Sequence, residues 1–397
     1  MDCFRVGSMK ELNETRLKYI CSSFSSNISI DLLSDEATDE SKHKVFGAAG
    51  LIGYYKFFYS NNDYLGIIKD GAGVGRISKY PKYSSVLGTM AYITPNKHID
   101  IDWLKYCILS MNLNESIDKT TIPHIYFSEY GNRKIVIFNY EEQKRIASYL
   151  DEQCEKIDEI MVDIQNQINT LEDYRKSVIS ETVTRGLNPN VEMKETDMGW
   201  IKQVPAKWNI SRIASVYELR NEKVSDKDYQ PLSVTMKGVL PQLDTVAKSD
   251  AHDDRKLVRK GDFAINSRSD RRGSCGIAPC DGSISLINTV LCPLTNMNPI
   301  YYNWLFHTTE FADEFYKWGH GIVDDLWTTG WQEMKNILIP VPPVQEQEEI
   351  AKYLNKKCAD IDSIIEDKKA QFETIENYKK SLIYEYVTGK KEVPENE

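Results

Sequence analysis

The 397-residue sequence contains no apolar run approaching the roughly 18 residues of a membrane span, which excludes a membrane-embedded chain. Hydrophobic residues at 41% beside 27% charged residues also exclude a disordered polyelectrolyte, and the length asks for two or three cores. The eight cysteines, at positions 3, 21, 107, 154, 275, 280, 292 and 358, include no Cys-x-x-Cys pair and have no histidine beside them at metal-ligand spacing. They read as scattered reduced thiols of a cytoplasmic protein. Met1–Lys10 lack the apolar core of a secretory signal; Gly7-Ser8-Met9 reads as an appended scar or a second start, and Met1–Ser8 are set aside from the fold.

Signatures of catalysis are missing too. Gly71-Ala72-Gly73-Val74-Gly75-Arg76 resembles a phosphate loop, but Arg76 stands where the chemistry needs Gly-Lys-[Ser/Thr], so a tight turn is expected. Asn298-Pro299-Ile300-Tyr301 lacks the second proline of a methyltransferase loop and reads as a turn. His43, His98, His124, His252, His307 and His320 form neither a His-Glu-x-x-His pattern nor a pairing with a nucleophile elbow. Asp253-Asp254 and Asp324-Asp325 are adjacent without a motif to fix a metal. Neither a metal nor a catalytic residue is expected.

What the sequence does contain is a repeat. Glu142-Gln143-Lys144-Arg145-Ile146-Ala147-Ser148-Tyr149-Leu150 matches Glu346-Gln347-Glu348-Glu349-Ile350-Ala351-Lys352-Tyr353-Leu354 at an offset of 204, which holds without a gap to Thr184 and Thr388 with roughly half the positions identical. Each copy predicts a long helix. Leu150, Ile157, Ile164, Leu171 and Val178 recur every seven residues, as do Leu354, Ile361, Lys368, Ile375 and Leu382, with Cys154 and Cys358 as small buried hydrophobes on the second track. At about 1.5 Å per residue each helix is about 65 Å long, and its apolar stripe needs a partner. Because a compact segment returns the chain to the start of the second helix, the two are expected to pack antiparallel. The expected fold is α+β: two mixed α/β domains separated by two long helices packed as an antiparallel coiled coil, with pseudo-twofold symmetry. The expected divisions are a first domain at 1–140, a helix at 141–186 with a connector to 199, a second domain at 200–340, a helix at 341–390 and a flexible tail at 391–397.

The globular segments look like diverged copies as well. Asn13-Glu14-Thr15-Arg16-Leu17 parallels Asn209-Ile210-Ser211-Arg212-Ile213, and Ile135–Phe138 and Ile337–Ile339 read as strands feeding the helices. Trp103–Met111 and Tyr302–Trp318 read as short helices. The net charge of −10 argues at first against an acidic partner, yet residues 1–140 carry +1, 141–199 carry −7, 200–340 carry zero and 341–397 carry −4. The acid lies on the helices. The globular segments instead hold basic clusters: Lys69, Arg76, Lys79 and Lys82 with Tyr83 in the first, and Arg255, Lys256, Arg268, Arg271 and Arg272 with Asn266, Ser267 and Ser274 in the second. Taken singly, each basic residue reads as a solvated loop charge; as clusters they point to phosphates and base edges, and these thirteen residues are the candidate DNA-binding set. The candidate helix–helix packing set is Leu150, Ile157, Ile164, Leu171, Val178, Leu354, Ile361, Ile375 and Leu382.

This order of domain, helix, domain, helix resembles the specificity subunit of type I restriction-modification systems over essentially the whole chain. The resemblance rests on the two Glu-Gln helix openings, on Arg185-Gly186-Leu187-Asn188-Pro189, on Gly199-Trp200-Ile201 and Val204-Pro205-Ala206-Lys207-Trp208, and on Gly261-Asp262-Phe263-Ala264-Ile265-Asn266-Ser267. The first segment departs from it, with Gly66-Ile67-Ile68-Lys69-Asp70-Gly71 and no Trp-containing opening. The resemblance implies a non-catalytic subunit in which each target-recognition domain reads one half of a bipartite, asymmetric site in double-stranded DNA and the helices set the spacer. It implies no cofactor in this chain, two methyltransferase subunits carrying S-adenosylmethionine, and restriction subunits using ATP and Mg. A self-contained DNA methyltransferase or nuclease, and a coiled-coil scaffold binding proteins through its end domains, stay open as alternatives.

Overall fold

The computed structural model describes residues 13–117, 123–242, 254–294, 296–321 and 327–394. Met1–Ser8, His252, Asp253 and Asp324-Asp325 lie outside these residues. By contacts the chain forms two units, Met1–Gln165 with Ala370–Glu397, and Asn166–Lys369. No helix of the described residues is long and apolar enough to cross a membrane.

Unit 1 contains β1 (Asn13–Arg16), β2 (Cys21–Ser25), β3 (His43–Gly47), β4 (Gly50–Tyr55), β5 (Tyr64–Ile68), β6 (Ile77–Tyr80), β7 (Ser85–Val86), β8 (Met90–Pro95), helix α1 (Ile101–Leu109), the short helix α2 (Phe127–Tyr130), β9 (Lys134–Ile137) and the start of the long helix α3 (Tyr140–Arg185). Its strands pair in the orders β1-β9, β2-β8-β5-β6 and β4-β3-β7. Unit 2 follows with β10 (Met193–Glu195), β11 (Gln203–Pro205), β12 (Asn209–Arg212), β13 (Tyr217–Arg220), β14 (Lys223–Val224), β15 (Leu232–Thr235), β16 (Gly238–Pro241), β17 (Arg255–Val258), β18 (Phe263–Asn266), β19 (Cys275–Ile277), β20 (Gly282–Ser285) and β21 (Asn288–Pro293). Helices α4 (Pro299–Phe306), α5 (Thr309–Lys317) and α6 (Trp331–Met334), strand β22 (Leu338–Val341) and the long helix α7 (Val344–Val387) complete the order.

The same framework occurs in both units. β12-β22 repeats β1-β9, and β13-β21-β18-β19 repeats β2-β8-β5-β6. Leu17 N–H donates to Arg133 O at 3.1 Å, and Ile213 N–H to Ile337 O at 3.0 Å; Leu17 and Ile213 are both fully buried. The helix that follows the sheet is anchored alike: Tyr106 Oη donates to Asp151 at 2.6 Å in unit 1, and Trp304 Nε1 to Asn355 at 2.9 Å in unit 2. The strand register that the sequence lacks any marker for in unit 1 is therefore supplied by the core: Gly66-Ile67-Ile68 lie on β5 where Ala264-Ile265-Asn266 lie on β18.

One buried amide ties each helix to its unit. Gln143 accepts from Asp100 N–H and donates to Phe138 O, both at 2.8 Å; Gln347 accepts from Asn298 N–H and donates to Pro342 O, both at 2.8 Å. Asp100 and Asn298 are also the N-caps of α1 and α4, accepting from the backbone of Asp102 and Trp103, and of Ile300 and Tyr301. Asn298-Pro299-Ile300-Tyr301 is thus a helix start with proline in its first turn, rather than the turn expected. The single helix expected at Tyr302–Trp318 is broken, because Thr308 caps α5 through Phe311 N–H.

Within each unit the long helices run antiparallel. In unit 1, Tyr386 Oη lies 3.2 Å from Tyr149 Oη and Lys379 Nζ lies 2.6 Å from the Asp158 carboxylate. In unit 2, Arg175 pairs with Asp362 at 2.9 Å, and Gly186, in the left-handed region at φ +76°, backs onto the Glu346 carboxylate and the Trp208 ring. The packing set is more than a seam. Leu150, Ile157 and Leu382 belong to the unit 1 core with Trp103 and Leu104, while Val178 and Leu354 belong to the unit 2 core with Phe306 and Tyr301. Ile164 and Ile361 are buried, whereas Leu171 and Ile375 are half-buried. Each helix therefore contributes to the core of both units. The tail also differs from expectation: Val393 is buried in the unit 1 core and its carbonyl accepts from Arg145.

Replacing the buried Gln143 by Leu leaves the half-buried Asp100 N–H and Phe138 carbonyl without these partners, a cost of about 2–4 kcal/mol from two lost hydrogen bonds. Urea unfolding of the Gln143→Leu variant should show a lower midpoint, and Gln347→Leu should do the same to unit 2. An unchanged midpoint would mean that the amides are bystanders.

Candidate nucleic-acid interface

The structure sorts the basic residues of unit 2 by task. Arg255 is 8% exposed, and its guanidinium donates to the Ser283 hydroxyl and carbonyl, both at 2.9 Å, across the β17–β20 pair. Burial pushes its pKa down, as it does for Lys256, whose Nζ donates to Asn288 O at 2.7 Å. Asn266 and Ser274 are buried, and Asn266 accepts from Arg268 N–H at 3.1 Å. Arg255 thus holds strands together and Asn266 and Ser274 are buried, a correction to their place in the candidate set, whereas Lys256 is half-buried and also lines a cleft in unit 2. The charges that reach solvent lie in the turn after β18: Arg271 and Arg272 are exposed, and Arg268 and Ser267 are half-buried. Arg268 and Arg271 flank Asp270 at 3.1 and 3.6 Å, and Arg272 pairs with Asp313 beside the Tyr316 ring.

The Gly-Asp-Phe signature has a structural explanation. Gly261 sits at φ +91°, Phe263 is fully buried, and Asp262, 3% exposed, binds the Arg220 guanidinium at 2.5 and 3.1 Å while accepting from Arg259 N–H at 2.8 Å. The Arg220 charge is held on the protonated side by that carboxylate. This pair, with its carboxylate buried, fixes the turn entering β18, whose far end carries the exposed arginines.

In unit 1, Lys69 bonds Asp70 at 2.8 Å and Lys79 bonds Asp102 at 2.7 Å, which ties β6 to α1. Arg76 is exposed at the end of the Gly71–Gly75 segment, which is the tight turn expected, closed by Val74 N–H to Gly71 O and Arg76 N–H to Gly73 O, both 3.1 Å. Lys82 and Tyr83 are exposed side by side, with Nζ 5.4 Å from the ring centroid. Tyr83 lies at φ +60°, a strained conformation for a bulky residue, and its ring meets Phe58 edge-on at 5.3 Å. Three of the four basic candidates of this unit sit near β5 and β6; Lys82 lies beyond them with Tyr83.

Sequence reasoning missed His124, Asn221 and Trp331. His124 Nδ1 lies 2.6 Å from Asp70, and with Ser23, Ser25, Lys69 and Tyr126 the pair lines a cleft of about 310 Å³ in unit 1. Asn221, Ser267, Arg268, Thr328, Trp331 and Gln332 line a cleft of about 600 Å³ in unit 2. A signal existed: extended backwards, the offset of 204 pairs His124 with Thr328 and Phe127 with Trp331. The residues differ so much in type that identity alone hid it. Among the described residues no group of three or more His, Cys, Asp or Glu is placed to hold a metal.

Residues 4–170 match the family model described as the type I restriction modification DNA specificity domain. The chain is 27% identical over 294 residues to a protein provisionally named the type I restriction enzyme MjaX specificity subunit, and 25% identical over 359 residues to the MjaVIII specificity subunit, both of Methanocaldococcus jannaschii. These alignments cover 69% and 83% of this chain; it spans 61% of the length of the first relative and 79% of the second. Among solved structures, a chain from a study of complex assembly and conformational transition of the type I R-M system shares the fold at TM-score 0.64 and 14% identity, with 95% of this chain and 97% of that chain covered.

Two measurements check these assignments. Arg255→Ala, which empties a buried double hydrogen bond, should cost about 2 kcal/mol in urea unfolding, whereas the exposed Arg271→Ala should change stability by less than about 0.5 kcal/mol. The Asp70 carboxyl is held below its ordinary range: burial works to raise it, and the hydrogen bonds and charges of Lys69 and His124 outweigh burial. A lowered carboxyl pKa stabilises the fold fully above the unfolded value, and this contribution disappears as pH falls through the folded value. Stability of Asp70→Asn should therefore fall less steeply than wild type below about pH 4.

Proposed function

We propose that this chain, a member of the type I restriction-modification specificity-subunit family, is the sequence-reading subunit of a complex that modifies and restricts double-stranded DNA. The observation that carries the reading is the recurrence of one framework. Residues 4–170 match the DNA specificity domain, and the β1-β9 and β2-β8-β5-β6 arrangement of unit 1 returns in unit 2 with different loops and different exposed side chains. A constant framework with unlike surfaces suits two readers of two unlike half-sites.

In this reading unit 1 reads one half of a bipartite, asymmetric site and unit 2 the other. Helices α3 and α7, 46 and 44 residues long, set the spacer and offer their solvent faces to two methyltransferase subunits. Adenine methylation with S-adenosylmethionine and ATP-driven cleavage with Mg belong to the partner methyltransferase and restriction subunits, and this chain supplies recognition without a cofactor of its own. The work takes place in the cytoplasm. Exposed Arg271, Arg272, Lys82 and Arg76 would grip phosphates, which position the protein without specifying sequence.

The test is a chimaera assembled with its methyltransferase subunits. Exchanging residues 200–340 for those of another family member should change one half of the methylated word and leave the other intact. A change in both halves refutes the modular assignment, and equal binding of random and cognate duplexes by the wild-type complex favours a protein-binding scaffold instead.

A further inference from the structure

The two clefts occupy one place in the shared framework. Lys69 N–H donates to Thr89 O at 3.0 Å, and Ser267 N–H to Ile287 O at 3.3 Å; Ile125 N–H donates to Lys69 O, and Thr329 N–H to Ser267 O, both at 3.0 Å. Gly71 N–H donates to Pro123 O and Ser269 N–H to Trp327 O, again at 3.0 Å. Isolated bridges then set Asp70 opposite His124, and Arg268 opposite Thr328. The backbone of this corner is the same in both units, and its side chains are not.

The two linings differ at the paired positions. An ionised carboxylate only accepts hydrogen bonds, so Asp70, at 2.6 Å from His124 Nδ1, requires the proton on that nitrogen. In the neutral ring this makes Nε2 an acceptor, beside the Lys69 ammonium and the Ser25 hydroxyl in the same cleft. At those positions unit 2 has the Arg268 guanidinium in place of the carboxylate and Thr328 in place of the imidazole; Lys256 and Glu333 also line its cleft, and Asn221 and Gln332 are exposed. A guanidinium fork suits guanine O6 and N7, and an amide suits adenine N6 and N7; a ring acceptor suits the exocyclic amino group of adenine or cytosine.

We infer that these twin clefts are where each unit reads base edges, and that Asp70 is a positioning residue holding His124 in the tautomer that accepts from a base amino group. The inference rests on the DNA-reading function proposed above and adds which residues decide the word. In this proposal Asp70 acts through His124 by fixing what the ring offers. The unlike pairs at this corner make the half-sites unlike while the framework stays constant.

The experiment uses the full chain assembled with its methyltransferase subunits and a pool of duplexes randomised across both half-sites, with bound sequences read out position by position. Asp70→Asn, which permits the opposite tautomer, should relax preference about tenfold at one position of one half-site and leave the other half unchanged. His124→Phe, which keeps a ring and removes the acceptor, should relax the same position and guards against a folding defect in the first variant. Asn221→Ala, at an exposed rim position, should relax a position in the other half only. Unaltered preferences in all three variants, or a uniform loss across every sequence, overturn the inference while the DNA-reading function stands. A wild-type complex without sequence preference overturns both.

Discussion

Within each unit the start of the long helix depends on a buried primary amide. A glutamine can accept and donate at once, and at Gln143 it does so to two backbone groups that belong to different segments: the cap of α1 and the end of β9. The bond set closes a triangle of strand exit, helix cap and long helix, so that rotating the helix breaks both bonds. Gln347 closes the same triangle with Asn298 and Pro342. Both glutamines are 1% exposed, so a lost partner leaves the amide itself without a hydrogen bond in a buried place, which is costly.

The parts of the fold that could be read beforehand are those in which one residue type answers to one force. Heptad spacing revealed helices α3 and α7, and the repeated Glu-Gln pair marked where they begin, although nothing in the pattern said that Leu150 and Val178 serve globular cores as much as a helix pair. Strand order was not legible, because β5 and β18 share a place without sharing a signature. The division of the basic residues was also hidden. Arg255 and Arg271 look alike in sequence; a hydroxyl and a carbonyl of Ser283 across the strand pair decide that one is structural and the other free to meet solvent. His124 was passed over because its importance lies in the Asp70 carboxylate 54 residues away, a contact made by tertiary folding.

Charge distribution and buried electrostatics work at different levels in this chain. The Asp262 carboxylate is buried where it fixes a turn, and the cost is offset by the bidentate bond to the partly exposed Arg220 guanidinium with a third bond from the Arg259 backbone. Around it the exposed arginines sit in a segment whose path is already determined. The acid excess of the sequence lies on the helical segments, and the globular segments are near neutral with local basic clusters.

The burial of Val393 and Val387 with Leu150 and Cys154 has a consequence for how the chain comes to be folded. Unit 1 is closed by contacts spanning 237 residues, between Tyr149 and Tyr386, and 248 residues, between Arg145 and Val393. Unit 2 draws on one continuous stretch. During synthesis the apolar face of α3 that belongs to unit 1 waits uncovered until the last turns of α7 leave the ribosome, whereas unit 2 needs only its own stretch and can consolidate first. The unit whose residues are made first is the one that is finished last.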